Sequence, residues 1–503
     1  MSPNAIKKKS VAVIGGGIGG VSAAWTLHRS GFDVRVFERA NAIGGNARTF
    51  SWRLPKGVTA PAAVEGESET NRVETGIFVL AWPTNFYHTY NQLLDLLGVE
   101  SEVMPIKYFV THPSGTFAQD GVPDPELRLD DQFSRWQRLI AFVTKVNRLF
   151  TPSLRRLAHD SLYHISYLNP MNIVPLYRLA RLFGISREFW ERIFVGVHSA
   201  TFITTKMKDI PAVLLPLLEG IVPLERPTAM STWRRAPREV FDRLTAGFRE
   251  HVHTDHRVTK VEPLPGGGYR VSDEKGRSYQ ADQVIFACNA KDALAALGNP
   301  SPLERMLLGN VEYVDDVDAT FQRAVLHTDT SILPSEHRER ILDDFNTYTD
   351  IGRDGHVECT FVLSSHLPIT RGLGQPLLVT FNSRKPIDVA KIQGKISIPR
   401  CNHSLNLKNL AIVALMRLIQ GRRGIWYCGG FTTPEGGHDL SLLSGMVVAR
   451  AMGAHYPLDP TNQAAVHDFR MLEGLMLGRN TPLQAEVSIR GDIPYTAAGH
   501  AIH

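Results

Sequence analysis

The sequence predicts an α/β protein of two domains or more, one of them built on a parallel sheet. Three stretches carry that expectation. "SVAVIGGGIGGVSAAWTLHRSGFDVRVFERA" reads as strand, tight glycine turn, helix and second strand. "AIGGNARTF" places another glycine pair directly after the second strand. "CGGFTTPEGGHDLSLLSGMVVARAMG" is a glycine-rich turn that opens an apolar helix near the end of the 503 residues.

In the first stretch, Val11, Val13 and Ile14 form the short apolar run of a buried parallel strand. Gly15, Gly17 and Gly20 then match G-x-G-x-x-G, with Gly19 inside the same turn. Gly15 permits the tight turn, Gly17 leaves room for a pyrophosphate, and Gly20 lets the helix lie close to the sheet. The helix N-terminus offers unpaired N–H groups and partial positive charge to phosphate oxygens. Glu38 follows Gly17 by 21 residues, where a carboxylate accepts hydrogen bonds from ribose hydroxyls. A glycine turn with no ligand would leave that acid unexplained. Glu38 also disfavours a 2′-phosphate, despite the neighbouring Arg39.

The second stretch chooses among dinucleotides. Gly44 and Gly45, followed by Asn46, Arg48 and Thr49, bring the chain back towards the pyrophosphate. A nicotinamide dinucleotide has no need of this second pair. A flavin dinucleotide, with its ribityl portion, does. The expected cofactor is FAD, held non-covalently.

Composition narrows the class. A formal charge of +5 is too small to suggest a nucleic-acid partner. Four scattered cysteines without C-x-x-C spacing argue against a disulfide framework and fit a reducing, cytoplasmic setting. The 19 histidines include no H-x-x-H or H-E-x-x-H, so no metal site is expected. No apolar run reaches the ~18 residues that suggest a membrane span, and the N-terminal lysines precede a strand rather than a signal peptide.

Several motifs together resemble the flavin-containing amine oxidoreductase superfamily, and within it the branch of predicted NAD/FAD-binding proteins. They are "VAVIGGGIGGVSAAW", "GGNART", "VETGIFVLAWPTNFYHTYNQLLDLLGVE", "ADQVIFACNAKDALAAL", "AVLHTDTSILP", "LLVTFNSRKPID" and "GRRGIWYCGGFTTPEGGHDLSLLSGMVVARAMG", between about residues 10 and 455. The resemblance implies a Rossmann-type FAD-binding domain of the glutathione-reductase and amine-oxidase kind, with an inserted mixed α+β substrate domain. It implies that residues 1–80, 226–300 and 420–457 form the FAD-binding domain, 81–225 and 301–419 the substrate domain, and 458–503 a C-terminal tail. It also implies that Val258 meets the adenine through its backbone and that Gly430 lies beside the flavin. A helix from about Leu440 would aim its N-terminus at the pyrimidine end of the ring, capped by Asp439 or Ser441. Ser444 and Gly445 would pack against the first helix, and His438 would be the ionisable group near the ring, a neutral-imidazole base. The chain departs from the branch where Gly436 and Gly437 lengthen the last turn, and where "FNTY" replaces a Trp-Asn-Tyr run.

Between these motifs, Trp136, Leu139, Ile140, Val143, Val146 and Leu149 recur at helical spacing among Arg135, Arg138, Lys145 and Arg148. The 132–156 region therefore reads as a basic amphipathic helix packed on its own domain, with peripheral membrane or lipid contact as the alternative. Trp82, Tyr87, Trp190, Trp233 and Tyr348 are candidates for a pocket wall, and "VHDFRMLEGLMLG" for one more helix. The expected activity is an FAD-dependent oxidoreductase that takes a hydride equivalent from a small, largely apolar substrate to flavin N5. The alternatives are a redox-neutral double-bond isomerase of an unsaturated acyl or polyene chain, and a non-catalytic flavoprotein.

Overall fold

A computed structural model describes residues 9–54, 72–119, 129–150, 166, 168–204, 207–316 and 323–479. Residues 151–156 of the basic stretch and the tail beyond 479 lie outside these.

Five parallel strands make the first sheet, in the order Val252–His253, Asp33–Phe37, Ser10–Ile14, Gln283–Phe286 and Ile425–Tyr427. Val11 faces Val34 on one side and Gln283 on the other. Val13, Val36, Val284 and Ile285 are fully buried, as expected of strands covered on both faces. The helix Ile18–Arg29 packs on one face with the helix His438–Ala451 beside it. Their approach is very close, because a Cβ on Gly445 would lie 2.1 Å from the Gly19 carbonyl oxygen. Ser22 Oγ ties the pair by donating to the Leu442 carbonyl at 2.8 Å.

Val258–Pro263, Tyr269–Asp273 and Ser278–Ala281 form an antiparallel sheet, with Gly267 and Gly268 at positive φ in the hairpin. A seven-stranded sheet draws on both long intervening segments, in the order Ile392–Ser397, Arg323–His327, Leu378–Phe381, Val357–Val362, Thr347–Ile351, Tyr108–His112 and Gly115–Ala118.

Two segments sit elsewhere than the resemblance implies. Thr228–Trp233, at the start of the 226–300 stretch, pairs with Ser101–Ile106 and Trp82–Pro83. The helices Pro302–Asn310 and Leu407–Leu415, from the 301–419 stretch, bury Leu307, Leu308 and Ile412 in one cluster with Ala12, Ile14 and Phe286. Their apolar faces find the back of the parallel sheet.

Within the helix Leu129–Phe150, Trp136, Leu139 and Val143 are fully buried, and Trp136 Nε1 donates to Glu219 Oε1 at 2.7 Å. This face is spent inside the protein, while Phe142 and Leu149 remain exposed. No helix among the described residues is long and apolar enough to cross a membrane. The helix Gln463–Leu477 forms as expected and buries Phe469, Leu472 and Met476.

Candidate functional site

Two glycine loops converge at the C-terminal edge of the parallel sheet. Gly15, at φ +117°, donates its N–H to the Phe37 carbonyl at 2.8 Å, and a Cβ there would meet Ala287 backbone at 2.7 Å. Gly20 faces the Gly15 carbonyl oxygen, 2.0 Å from where its Cβ would be, so no side chain fits. Gly17 differs from both. A Cβ on Gly17 would meet nothing within 4 Å except Gly45 Cα at 3.8 Å, so its open side is empty space at a helix N-terminus. Gly44 bridges to Gly17 and donates its N–H to the Gly16 carbonyl at 2.8 Å, which places the second loop over the first.

Polar side chains surround this opening. Glu38 Oε2 accepts from the Gly16 N–H and Oε1 from the Ala40 N–H, both at 2.8 Å. These bonds hold the carboxylate at the cavity wall and leave each oxygen a free lone pair. Arg39 pairs with Asp292 at 2.8 Å, and Arg400 reaches the same carboxylate at 2.9 Å. Asn46 Nδ2 donates to the Cys401 carbonyl at 2.7 Å. The Arg48 guanidinium makes no hydrogen bond to the described residues and lies 4.9 Å from the Phe50 ring centroid. Burial lowers its pKa, so the half-buried cation stands ready for an anion. Thr49 is not part of the opening. Its Oγ1 accepts from the Arg238 N–H at 2.8 Å and caps the helix Arg238–Thr245.

The last turn corrects several expectations. The helix starts at His438, two residues early, with Gly437 as its N-cap and no side-chain cap. Asp439 caps a different helix. It is fully buried, and its Oδ1 accepts from the Tyr90 N–H at 2.7 Å, in the first turn of His88–Leu97. Burial raises its carboxyl to about 7, against the opposing pull of that N–H. Ser441 Oγ donates to the Gly436 carbonyl at 3.3 Å. Ser444 accepts from the Gly429 N–H and donates to the Ser441 carbonyl, both at 2.7 Å, and so fixes the turn from within. Neither Asp439 nor Ser444 lines the cavity, whereas Gly430 and His438 do.

His438 stands edge-on to Tyr90, ring centroids 4.7 Å apart, with Nε2 buried and unpartnered. Desolvation depresses its imidazole to about 3. It is neutral as expected, but too weakly basic to collect a proton near neutral pH. Glu435, three residues earlier, is the group that sequence reasoning missed. It lines the cavity at 7% exposure with Oε1 unpartnered, and burial raises its carboxyl to about 8. The two glycines that lengthen the turn fold it inward, since a Cβ on Gly437 would lie 2.3 Å from Glu435 Oε1.

That shift has a measurable consequence. A carboxyl raised from 4.5 to about 8 is protonated more readily in the folded state. Its contribution is therefore intact below pH 4.5 and turns unfavourable as pH rises through about 8. At ~1.36 kcal/mol per unit the penalty is at most roughly 5 kcal/mol. The unfolding midpoint of Glu435→Gln, measured against the parent at fixed FAD, should gain steadily from pH 5 to pH 8 and then level off. A difference that does not change with pH would mean that Glu435 is solvated.

A cavity of about 630 Å³ joins these parts. It passes from Gly17, Glu38, Arg48 and Val258, by Gly430 and Tyr87, to Tyr108, Thr347 and Phe361 on the seven-stranded sheet. Of the aromatic wall candidates, Tyr87 alone lines it. Trp82 and Trp233 are bound into the core by Asn91 and Tyr90, Trp190 stacks on Phe194, and Tyr348 bonds Thr111 on the sheet's other face. His403, Thr347 and His366 line the cavity without having been anticipated. Nothing local marks them, because strand register and the folded last turn bring them there.

The cradle fits FAD. Its open space is where a pyrophosphate needs no Cβ, beside a helix N-terminus and a guanidinium unpaired among the described residues. The model of the family described as "flavin containing amine oxidoreductase" matches residues 18–315, more than half of the chain. Polyamine oxidase 2 of Arabidopsis thaliana is 27% identical over 288 residues, covering 56% of this chain and 51% of that protein. The chain spans about half the length, or less, of the curated relatives it matches. Among solved structures, wild-type putrescine oxidase bound to putrescine aligns over 88% of this chain and 99% of its own, at TM-score 0.59 and 15% identity. A CLA-producing fatty acid isomerase from P. acnes aligns over 88% and 98%, at TM-score 0.57 and 15% identity. At such identity these likenesses speak for the fold, while the family match is direct: this chain belongs to the flavin-containing amine oxidoreductases, enzymes that use FAD.

Proposed function

We propose that this protein takes a hydride equivalent from a small, largely apolar and uncharged organic substrate, with non-covalent FAD as acceptor. When bound, FAD supplies the hydride-accepting centre, and the protein supplies position and electrostatics. Glu38 is assigned to the adenosine ribose, the Gly17 opening and Arg48 to the pyrophosphate, and the Val258 backbone to the adenine. Gly430 and the N-terminus of the helix His438–Ala451 are assigned to the ring, where helix N–H groups favour negative charge.

The observation that carries the substrate class is the charge of the cavity wall. Glu38, Asp292 and Glu435 are its carboxyl groups among the described residues. Asp292 is held by two arginines, Glu38 faces the nucleotide end, and burial keeps Glu435 protonated at neutral pH. The substrate end thus holds no standing carboxylate for an ammonium group, which favours uncharged substrates. Glu435 is also the lining carboxyl whose proton affinity lies near neutral pH. It is therefore the group suited to exchange a proton during turnover.

The test is anaerobic mixing of the yellow protein with uncharged apolar candidates and with amines. Loss of the oxidised-flavin band with the former supports the reading, and bleaching by amines alone would reverse it. Double-bond isomers formed without net bleaching would identify the second reading, an isomerase, which the apolar chamber also suits. For the cofactor, Glu38→Ala should weaken FAD binding by about 1.5–3 kcal/mol, roughly tenfold to 150-fold. An unchanged dissociation constant would place the ribose elsewhere.

A further inference from the structure

The apolar chamber carries one polar notch. Strand register sets Tyr108, Thr347 and Phe361 side by side across three strands, all three facing the cavity. Tyr108 Oη is occupied by Thr201 Oγ1 at 3.0 Å. Thr347 is fully buried, and its hydroxyl has no partner. His366 is 3% exposed, lines the same cavity and stands edge-on to Phe361, with centroids 6.1 Å apart. The carbonyls of Val362 and Asn346 act on its ring as hydrogen-bond acceptors, which puts the imidazole next to the strand of Thr347 and gives the nitrogen facing them the N–H.

An unsatisfied hydroxyl in an apolar wall carries a desolvation cost that a ligand relieves. Burial pushes the His366 imidazole down to about 4, so at neutral pH it has one N–H and one bare nitrogen. Thr347 adds a hydroxyl that both donates and accepts. Among the described lining residues, no charge of either sign stands in this part of the cavity. The lining arginines, Arg39, Arg48, Arg257 and Arg400, come from the segments around the nucleotide cradle, as do Glu38 and Asp292.

We propose that Thr347 and His366 form a recognition notch for an uncharged hydroxyl group on an otherwise apolar substrate. The hydroxyl donates to the bare imidazole nitrogen and accepts from Thr347. This rests on the FAD-enzyme reading above and adds the chemical class of the substrate's polar end.

The experiment uses the full-length, flavin-loaded protein at pH 7. Octan-1-ol, octyl methyl ether and octylamine are titrated against the flavin difference spectrum. The alcohol should bind at least ~10-fold tighter than its ether, the fold-change of one good hydrogen bond, and tighter than the amine. Thr347→Val should bring the alcohol to the ether's dissociation constant, while Thr347→Ser keeps the preference; retained flavin reports that each variant is folded. Equal affinities for alcohol and ether, tightest binding of the amine, absence of any perturbation, or a preference untouched by Thr347→Val would each overturn the notch and leave the FAD reading standing. A folded protein without a flavin band that cannot be reconstituted with FAD would instead overturn the reading on which the notch depends.

Discussion

Gly17→Val yields a folded protein that purifies without flavin. Inside the protein the new side chain has room, because the nearest atom to a Cβ at this position is Gly45 Cα at 3.8 Å. That room lies between two glycine loops and a helix N-terminus, the place assigned to the pyrophosphate. The substitution therefore trades ligand volume for side-chain volume and leaves the packing of the apoprotein alone. Circular dichroism and thermal unfolding should match those of the parent stripped of FAD, while the visible band is absent. A yellow Gly17→Val protein would refute the assignment.

Gly445→Val is the opposite experiment on the same pair of helices. Its Cβ would fall 2.1 Å from the Gly19 carbonyl oxygen, 2.2 Å from Ser22 Oγ and 2.9 Å from the Ala23 nitrogen. Two of these are backbone atoms of a helix buried along nearly its whole length, so neither helix can move aside cheaply. Overpacking of this kind costs about 3 kcal/mol or more. The expected result is a largely insoluble protein, or one with a clearly lowered unfolding midpoint at saturating FAD. The two variants separate the roles of glycine: both lose flavin, and only Gly445→Val loses the fold. A Gly445→Val protein of parental stability would mean that the helices are not held this closely in solution.

The sequence made the cradle legible because its logic is local. Within residues 10–48, each glycine, the acid and the second glycine pair stand at spacings set by one strand–turn–helix–strand unit. Asp439 was misread because a residue at the start of a helix usually caps that helix, whereas here it caps one 349 positions earlier in the chain. Thr49 was misread because its partner, the Arg238 N–H, lies 189 positions away in the chain. His438 was placed beside the cavity, but a sequence does not reveal the burial that removes its basicity. The substrate end was the least legible. Tyr108, Thr347 and Phe361 meet only through strand register, and Glu435 turns inward because two glycines follow it.

The close pairing of the helices Ile18–Arg29 and His438–Ala451 also bears on how each molecule is made. The turn assigned to the phosphates leaves the ribosome early, yet the surface packed against it, from Gly429 to Gly445, is synthesised some 400 residues later, as the Ser22–Leu442 bond across 420 positions shows. Until then the apolar side of the first helix has no permanent cover, the condition in which nascent chains depend on chaperones. On the proposed reading, flavin capture is expected only after the helix His438–Ala451 is made, and a truncation that removes this helix should abolish it, however complete the glycine fingerprint looks in the remaining sequence.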